Sequence, residues 1–178
     1  MEIILAENHG FCYGVKRAVE MADEAANSEG KSYTLGPIIH NPQVVGRLES
    51  KGVSPIQEVA DIDEGTMIIR SHGVGPAIYA EAEEKGLHIL DATCPHVKKA
   101  QQDAKSVIED GMTLVILGEK NHPEVKSINL WANNKGIIIE DEESAEKLQI
   151  VEKMGVVVQT TFSQFKFNSI IEILEKKS

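Results

Sequence analysis

Cysteine is scarce in this chain: two occur among 178 residues, Cys12 and Cys94, and neither sits in a Cys-x-x-Cys pair. That count excludes a disulfide-stapled fold. In a cytosolic protein it leaves each thiol as an inert buried side chain, a nucleophile or a metal ligand. Taken singly, each reads as a buried thiol. Positive charge is also short, with 18 Lys and Arg against 28 Asp and Glu and a formal net charge of -10. The outer field therefore repels phosphate backbones and anionic head groups, so neither nucleic acid nor a membrane is an expected partner. No apolar run approaches the roughly 20 residues of a membrane helix. The opening Met-Glu-Ile-Ile-Leu-Ala-Glu lacks the basic segment of a signal peptide, and the cytoplasm is the expected compartment. Internal repeats and low-complexity linkers are absent as well.

What is present is an ordinary globular composition, 42% hydrophobic and 26% charged, in a chain long enough for one large domain or two small ones. Short β-branched runs alternate with amphipathic stretches. Strands are expected at residues 3–6, 32–35, 66–70, 87–91, 112–117, 137–140 and 155–159. Between them, Val15, Ala18, Val19 and Ala22 fall at helical spacing, Asn41-Pro42 makes an N-cap and first turn, and Val97, Ala100, Ala104, Val107 and Ile108 form one stripe. Repeated β-α order predicts α/β architecture, with short parallel sheets covered by helices, either one wide sheet or two of about four strands.

Reactive residues recur at one place in that pattern, the loop between a strand's end and the next helix. Cys12 follows the first expected strand, His40 the second, His72 the third, Cys94 the fourth, His122 and Glu124 the fifth, and Thr160 the last. Open parallel sheets bind ligands at that edge, where helix starts point free N–H groups inward. Any one of these residues alone is unremarkable, as His9, His88 and His96 illustrate; it is the joint placement that indicates a site, with the strand-end loops converging on one concavity. Three histidines and several helix N-termini suit a strongly anionic group such as a diphosphate, two thiolates suit a soft metal centre, and Glu124 can hold or deliver a proton. The stretch 25–32 imitates a phosphate-binding loop, but it ends a helix and feeds a strand, so Gly30 reads as a helix C-cap.

Six ordered motifs then resemble a family. They are His-Gly-Phe-Cys-Tyr-Gly-Val-Lys-Arg-Ala (9–18), Gly-Pro-Ile-Ile-His-Asn-Pro-Gln-Val-Val (36–45), Arg-Ser-His-Gly-Val (70–74), Asp-Ala-Thr-Cys-Pro (91–95), Gly-Glu-Lys-Asn-His-Pro-Glu-Val (118–125) and Val-Gln-Thr-Thr (158–161). Together they resemble the LytB-type 4-hydroxy-3-methylbut-2-enyl diphosphate reductases, iron–sulfur oxidoreductases of the non-mevalonate isoprenoid pathway. The resemblance implies reductive dehydroxylation of the allylic diphosphate to isopentenyl and dimethylallyl diphosphates, with electrons from a ferredoxin- or flavodoxin-type donor. By the same resemblance Cys12 and Cys94 ligate a 4Fe-4S cluster, and His40, His72 and His122 bind the diphosphate. Glu124 is then the proton donor, and Thr160 positions the substrate hydroxyl and helps relay the proton.

The family fold is three α/β/α units around a central cavity. This chain is expected to supply two, residues 1–95 and 96–178, with the strand within 1–9 belonging to the absent third unit. By the resemblance a third cysteine and a Ser-x-Asn motif are expected downstream of Ser178, so the chain is expected to be an incomplete and catalytically silent portion. Position 96, commonly apolar in the motif, is His96 and reads as a surface histidine. Two other readings use the same residues: a zinc site closed by Cys12, Cys94 and one or two histidines, and a cluster-free module that binds diphosphates or a partner chain.

Overall fold

The five-residue run Thr113–Leu117 shows how this sequence builds a sheet that is covered on both faces. In the structure, a computed structural model describing residues 3–7 and 9–177, Leu114 and Ile116 pack with Ala100, Ala104, Val125 and Ile128 on one side. Val115 and Leu117 pack with Ala145, Ile170 and Leu174 on the other. Alternate residues of a strand point to opposite faces, so an unbroken apolar run serves two helix layers at once.

Two such sheets form. The first follows α1 (Tyr13–Ala26) and consists of β1 (Ser32–Leu35), β2 (Val53–Ile56), β3 (Thr66–Ile69) and β4 (His88–Asp91), in the order β2-β1-β3-β4. Its helices are α2 (Pro42–Glu49) and α3 (Pro76–Glu84). The second follows α4 (Pro95–Glu109) and has β5 (Thr113–Leu117), β6 (Ile137–Ile139) and β7 (Met154–Val158), in the order β6-β5-β7. Its helices are α5 (Pro123–Trp131), α6 (Glu142–Glu146) and α7 (Gln164–Leu174). All pairings are parallel. In the first sheet Ile68 faces Ala18, Ala22 and Leu48 while Met67 and Ile69 face Val59 and Ala82. Asn41 caps α2 by accepting from the backbone N–H groups of Gln43 and Val44, and Asp141 and Ser144 form a capping box that starts α6. Among the described residues no helix is long and apolar enough to cross a membrane.

Three expectations are corrected. Residues 3–6 are not a strand: Ile3, Ile4 and Leu5 are 74–84% exposed and pair with no sheet edge. β-branched residues become a strand only where a neighbouring strand takes their N–H and C=O groups; Met1, Glu2 and Asn8, in the same segment, lie outside the described residues. Conversely β2 forms although it contains Pro55, because it is an edge strand with only β1 beside it. Gly30 is not the cap of α1, which is Asn27; it sits in the following turn at φ +103°.

Ile116 is fully buried and Ile150 is 80% exposed. Ile116→Ala should lower unfolding free energy by about 2–5 kcal/mol, and Ile150→Ala by less than about 0.5, in urea titrations followed by circular dichroism.

Candidate active site

Parallel pairing lays the carboxyl ends of β1 and β3 side by side, which brings His40, after β1, and His72, after β3, together. His122 arrives from the second sheet as the N-cap of α5. The ring centroids are 4.8 Å apart for His40 and His72, 5.3 Å for His72 and His122, and 6.2 Å for His40 and His122. One ring nitrogen from each lies within 4.8 Å of the others. His122 Nδ1 accepts from the Glu124 backbone N–H at 3.2 Å, which places the proton of the neutral ring on Nε2, free to donate. His72 is half-buried and its Nδ1 has no partner. Burial lowers its pKa to about 4, and His40, His122 and Arg70 push the same way. His72 is therefore a neutral imidazole at ordinary pH, a hydrogen-bond donor and acceptor rather than a fixed cation.

Among the described residues Glu124 is the most thoroughly buried carboxylate, 2% exposed, in the first turn of α5. Its oxygens accept from the Thr160 backbone N–H at 2.6 Å and from Thr160 Oγ1 at 2.9 Å. Thr160 follows β7 and is exposed, so the buried acid meets solvent through a hydroxyl. Such a pair can pass a proton between a protected carboxyl and a group outside.

The two thiols lie at the N-caps of α1 and α4 and are not bonded to each other; Cys12 is exposed and Cys94 half-buried. A Cβ built on Gly14 would come 2.5 Å from Cys94 Sγ, so the first turn of α1 presses directly on that sulfur and tolerates no side chain there. Arg17 donates to the carbonyls of Thr93 and Asp91 and ties α1 to the same loop. The loop is itself rigid: Asp91 accepts from Thr93 N–H at 2.9 Å and from Tyr79 OH at 3.0 Å and pairs with Lys98 at 2.7 Å. Burial opposes the Asp91 charge, but the bonds from Lys98 and Thr93 hold its pKa below the usual range. The Cys94 N–H donates to Ser71 O, one residue before His72. Two free thiols at adjoining helix starts suit two corners of a soft metal centre.

A tetrahedron of both cysteines with a histidine does not form. Among the described residues the metal-capable group is the three histidines alone, because the thiols sit at helix starts on α1 and α4 whereas the rings meet between β1, β3 and α5. His96 is exposed, as the sequence suggests. Sequence reasoning missed Ser127 and Gln101. Both are buried, and Ser127 Oγ lies 2.8 Å from the carbonyl oxygens of both His72 and Glu124 while accepting from Gln101 at 3.2 Å. No residue-type signal marks a serine that acts on backbone carbonyls 55 and 3 positions away.

Comparison with known proteins bears directly on this geometry. The family described as LytB protein matches residues 3–178. A 4-hydroxy-3-methylbut-2-enyl diphosphate reductase of Geobacter metallireducens is 49% identical over 178 residues, covering 99% of this chain and 63% of the relative. One from Caldanaerobacter subterraneus subsp. tengcongensis is 46% identical, covering 100% and 64%. The solved structure of the E-1-hydroxy-2-methyl-but-2-enyl-4-diphosphate reductase from Plasmodium falciparum superposes with a TM-score of 0.90 at 31% identity, over 96% of this chain and 55% of that one. A second, of (E)-4-hydroxy-3-methyl-but-2-enyl diphosphate reductase, gives 0.82 at 44% identity, over 97% and 63%. The chain thus spans a little under two-thirds of the curated relatives it matches.

The His72 shift fixes the sign of a pH effect. Its folded pKa of about 4 lies below the ordinary 6.5, so the unfolded chain binds the proton first. The contribution is complete above about pH 6.5 and is lost as pH falls towards 4. For a partly exposed ring it is on the order of 1–2 kcal/mol after solvent screening. Urea titrations between pH 7 and 4 should show His72→Asn losing less stability than the parent by that amount; parallel curves would contradict the assignment.

Proposed function

The chain belongs to the LytB protein family, and on that premise we propose that it is the diphosphate-binding and proton-donating part of a 4-hydroxy-3-methylbut-2-enyl diphosphate reductase. The reaction removes the allylic hydroxyl as water, using two electrons and two protons, and yields isopentenyl or dimethylallyl diphosphate. We read the chain as two units that divide near Pro95, in keeping with its two separate sheets. The observation that carries the proposal is the histidine cluster joined, through the His122 cap of α5, to the buried Glu124 and its partner Thr160.

His40, His72 and His122 hold the diphosphate by N–H donation, the role that fits three rings facing one another, of which His72 is neutral. Thr160 Oγ1 accepts from the substrate hydroxyl or donates to it, and Glu124, held against that oxygen, supplies the proton that leaves with it as water. Cys12 and Cys94 provide two thiolates. When bound between them and a further thiolate, a 4Fe-4S cluster with one iron open supplies the electrons, delivered by a ferredoxin- or flavodoxin-type donor, and a Lewis acid for the leaving oxygen.

Two measurements test this. Inorganic pyrophosphate titrated calorimetrically into the chain in the presence of a chelator should bind, and His72→Ala or His40→Ala should weaken it at least about tenfold, the loss of one good charge-assisted bond; equal affinities would remove the histidines from the site. For turnover, the 178-residue chain is reconstituted anaerobically with iron and sulfide beside a chimera in which it replaces the matching segment of its full-length Geobacter relative. The chain should be silent and the chimera active. Glu124→Gln in the chimera should reduce kcat by about 10²–10⁴ with substrate affinity retained. A silent chimera, or near-parental turnover of the variant, would refute the reading.

A further inference from the structure

The two sheets leave a cavity of about 400 Å³ between them that contains none of the histidines, thiols, Glu124 or Thr160. Two cations line it, Arg70 at the end of β3 and Lys126 in the first turn of α5. Neither has a carboxylate within ion-pair distance among the described residues, and the guanidinium Nε of Arg70 is buried with no hydrogen-bond partner. For Arg70 this is unusual, because the other part-buried cations among the described residues are engaged: Arg17 by the carbonyls of Asp91 and Thr93, Lys85 by those of Val59 and Ile62 and by Asp63, Lys98 by Asp91 and Lys177 by Glu146; Lys126 is exposed.

Arg70 is placed at a cost that no partner among the described residues offsets. Arg70 is half-buried, and a charge taken from water without a partner is destabilising. Its guanidinium lies across Gly36, where an ideal Cβ would come 2.8 Å from Nη1, so the backbone at the end of β1 is kept bare to admit it. Lys126 stands in the first turn of a helix, where the dipole disfavours positive charge. In a chain with a net charge of -10, two uncompensated cations facing one cavity form a local trap for anions. The lining also includes the apolar side chains of Leu35, Val74, Ile78 and Leu130.

We propose that this cavity is a second anion-binding site, distinct from the histidine cluster, for a phosphate or diphosphate bearing a compact apolar group. The anion pairs with Arg70 and Lys126 and the apolar group lies on Leu35, Ile78 and Leu130. Because Gly73 and Pro123, which also line the cavity, adjoin His72 and His122, an occupant bears on the backs of two of the three histidine loops.

The test uses the chain with its histidine cluster disabled by His40→Ala and His122→Asn, asparagine preserving the helix cap. Dimethylallyl diphosphate, geranyl diphosphate and inorganic pyrophosphate are titrated calorimetrically. The disabled chain should still bind a prenyl diphosphate saturably, at least tenfold more tightly than inorganic pyrophosphate. Lys126→Glu, on an exposed helix position, should weaken that binding at least tenfold, and Arg70→Met should do the same if circular dichroism shows it folded. Preference for the five-carbon ligand would mark the site as one for the reaction's own product, and preference for the ten-carbon ligand as one for a later prenyl diphosphate; either supports the proposal. No saturable binding in the disabled chain, or binding indifferent to Lys126→Glu, overturns it. Loss of pyrophosphate binding through the histidines alone would leave the reductase reading intact while removing this one, and the converse result would do the opposite.

Discussion

Two hydrogen bonds hold the candidate site in shape. Ser127 Oγ reaches the carbonyl of His72 at 2.8 Å, and Trp131 Nε1 donates to the carbonyl of Val74 at 2.9 Å. Residues 127 and 131 are one turn apart on α5, and the two carbonyls they meet lie two residues apart in the turn that follows β3, where Gly73 takes φ +71°. The helix of one sheet is thereby laced to the strand-end loop of the other. Close approach needs missing side chains: a Cβ on Gly73 would strike Gln101 and Thr93, and one on Gly75 would come 2.8 Å from Leu130. The Gly-Val-Gly-Pro stretch, which lacks the third glycine of a dinucleotide loop, is a packing device between sheets.

Once that seam is set, the chemistry follows from topology. Every strand pair is parallel, so in each sheet the carboxyl ends share one edge and the helices that follow begin there. Cys12, Asn41, Cys94 and His122 are all N-caps, so at this edge of a chain of net charge -10 the donors are helix-start N–H groups and imidazole rings, whose reach is short; that is what the proposed anion site draws on. A field built from bulk lysine and arginine would act at long range and attract any polyanion. Local donors select by shape.

The sequence reveals the alternation of strands and helices and the reactive loops because both are periodic or local. Thr113–Leu117 and the 97–108 stripe announce themselves, and His40, His72 and His122 share a position relative to their strands. What is illegible depends on neighbours. Residues 3–6 carry strand-forming side chains but no strand pairs with them, and β2 carries a proline that an edge position excuses. Ser127 acts on carbonyls and Gln101 on Ser127, so neither belongs to a motif. Arg70 stands inside a recognisable motif, yet its want of a carboxylate appears only when the surrounding atoms are placed.

The first turn and a half of α5 concentrates these roles. His122 caps it and faces the other two rings; Glu124, two residues on, holds Thr160; Lys126 points to the intersheet cavity; and Ser127 ties the helix to His72. Helical geometry sets Glu124 about 200° around the axis from both His122 and Lys126, while those two, four residues apart, share a face, so the acid turns away from the side that carries the ring and the ammonium. The Glu124 carboxylate is pinned by two bonds of 2.6 and 2.9 Å, and Val125 and Ile128 are fully buried, so the turn has little freedom to rotate under a load on one side only. An anion drawn to Lys126 at the proposed second site would pull on the same turn that holds the His122 cap and Glu124, because the helix that carries Glu124 is also the helix bonded to the loop after β3.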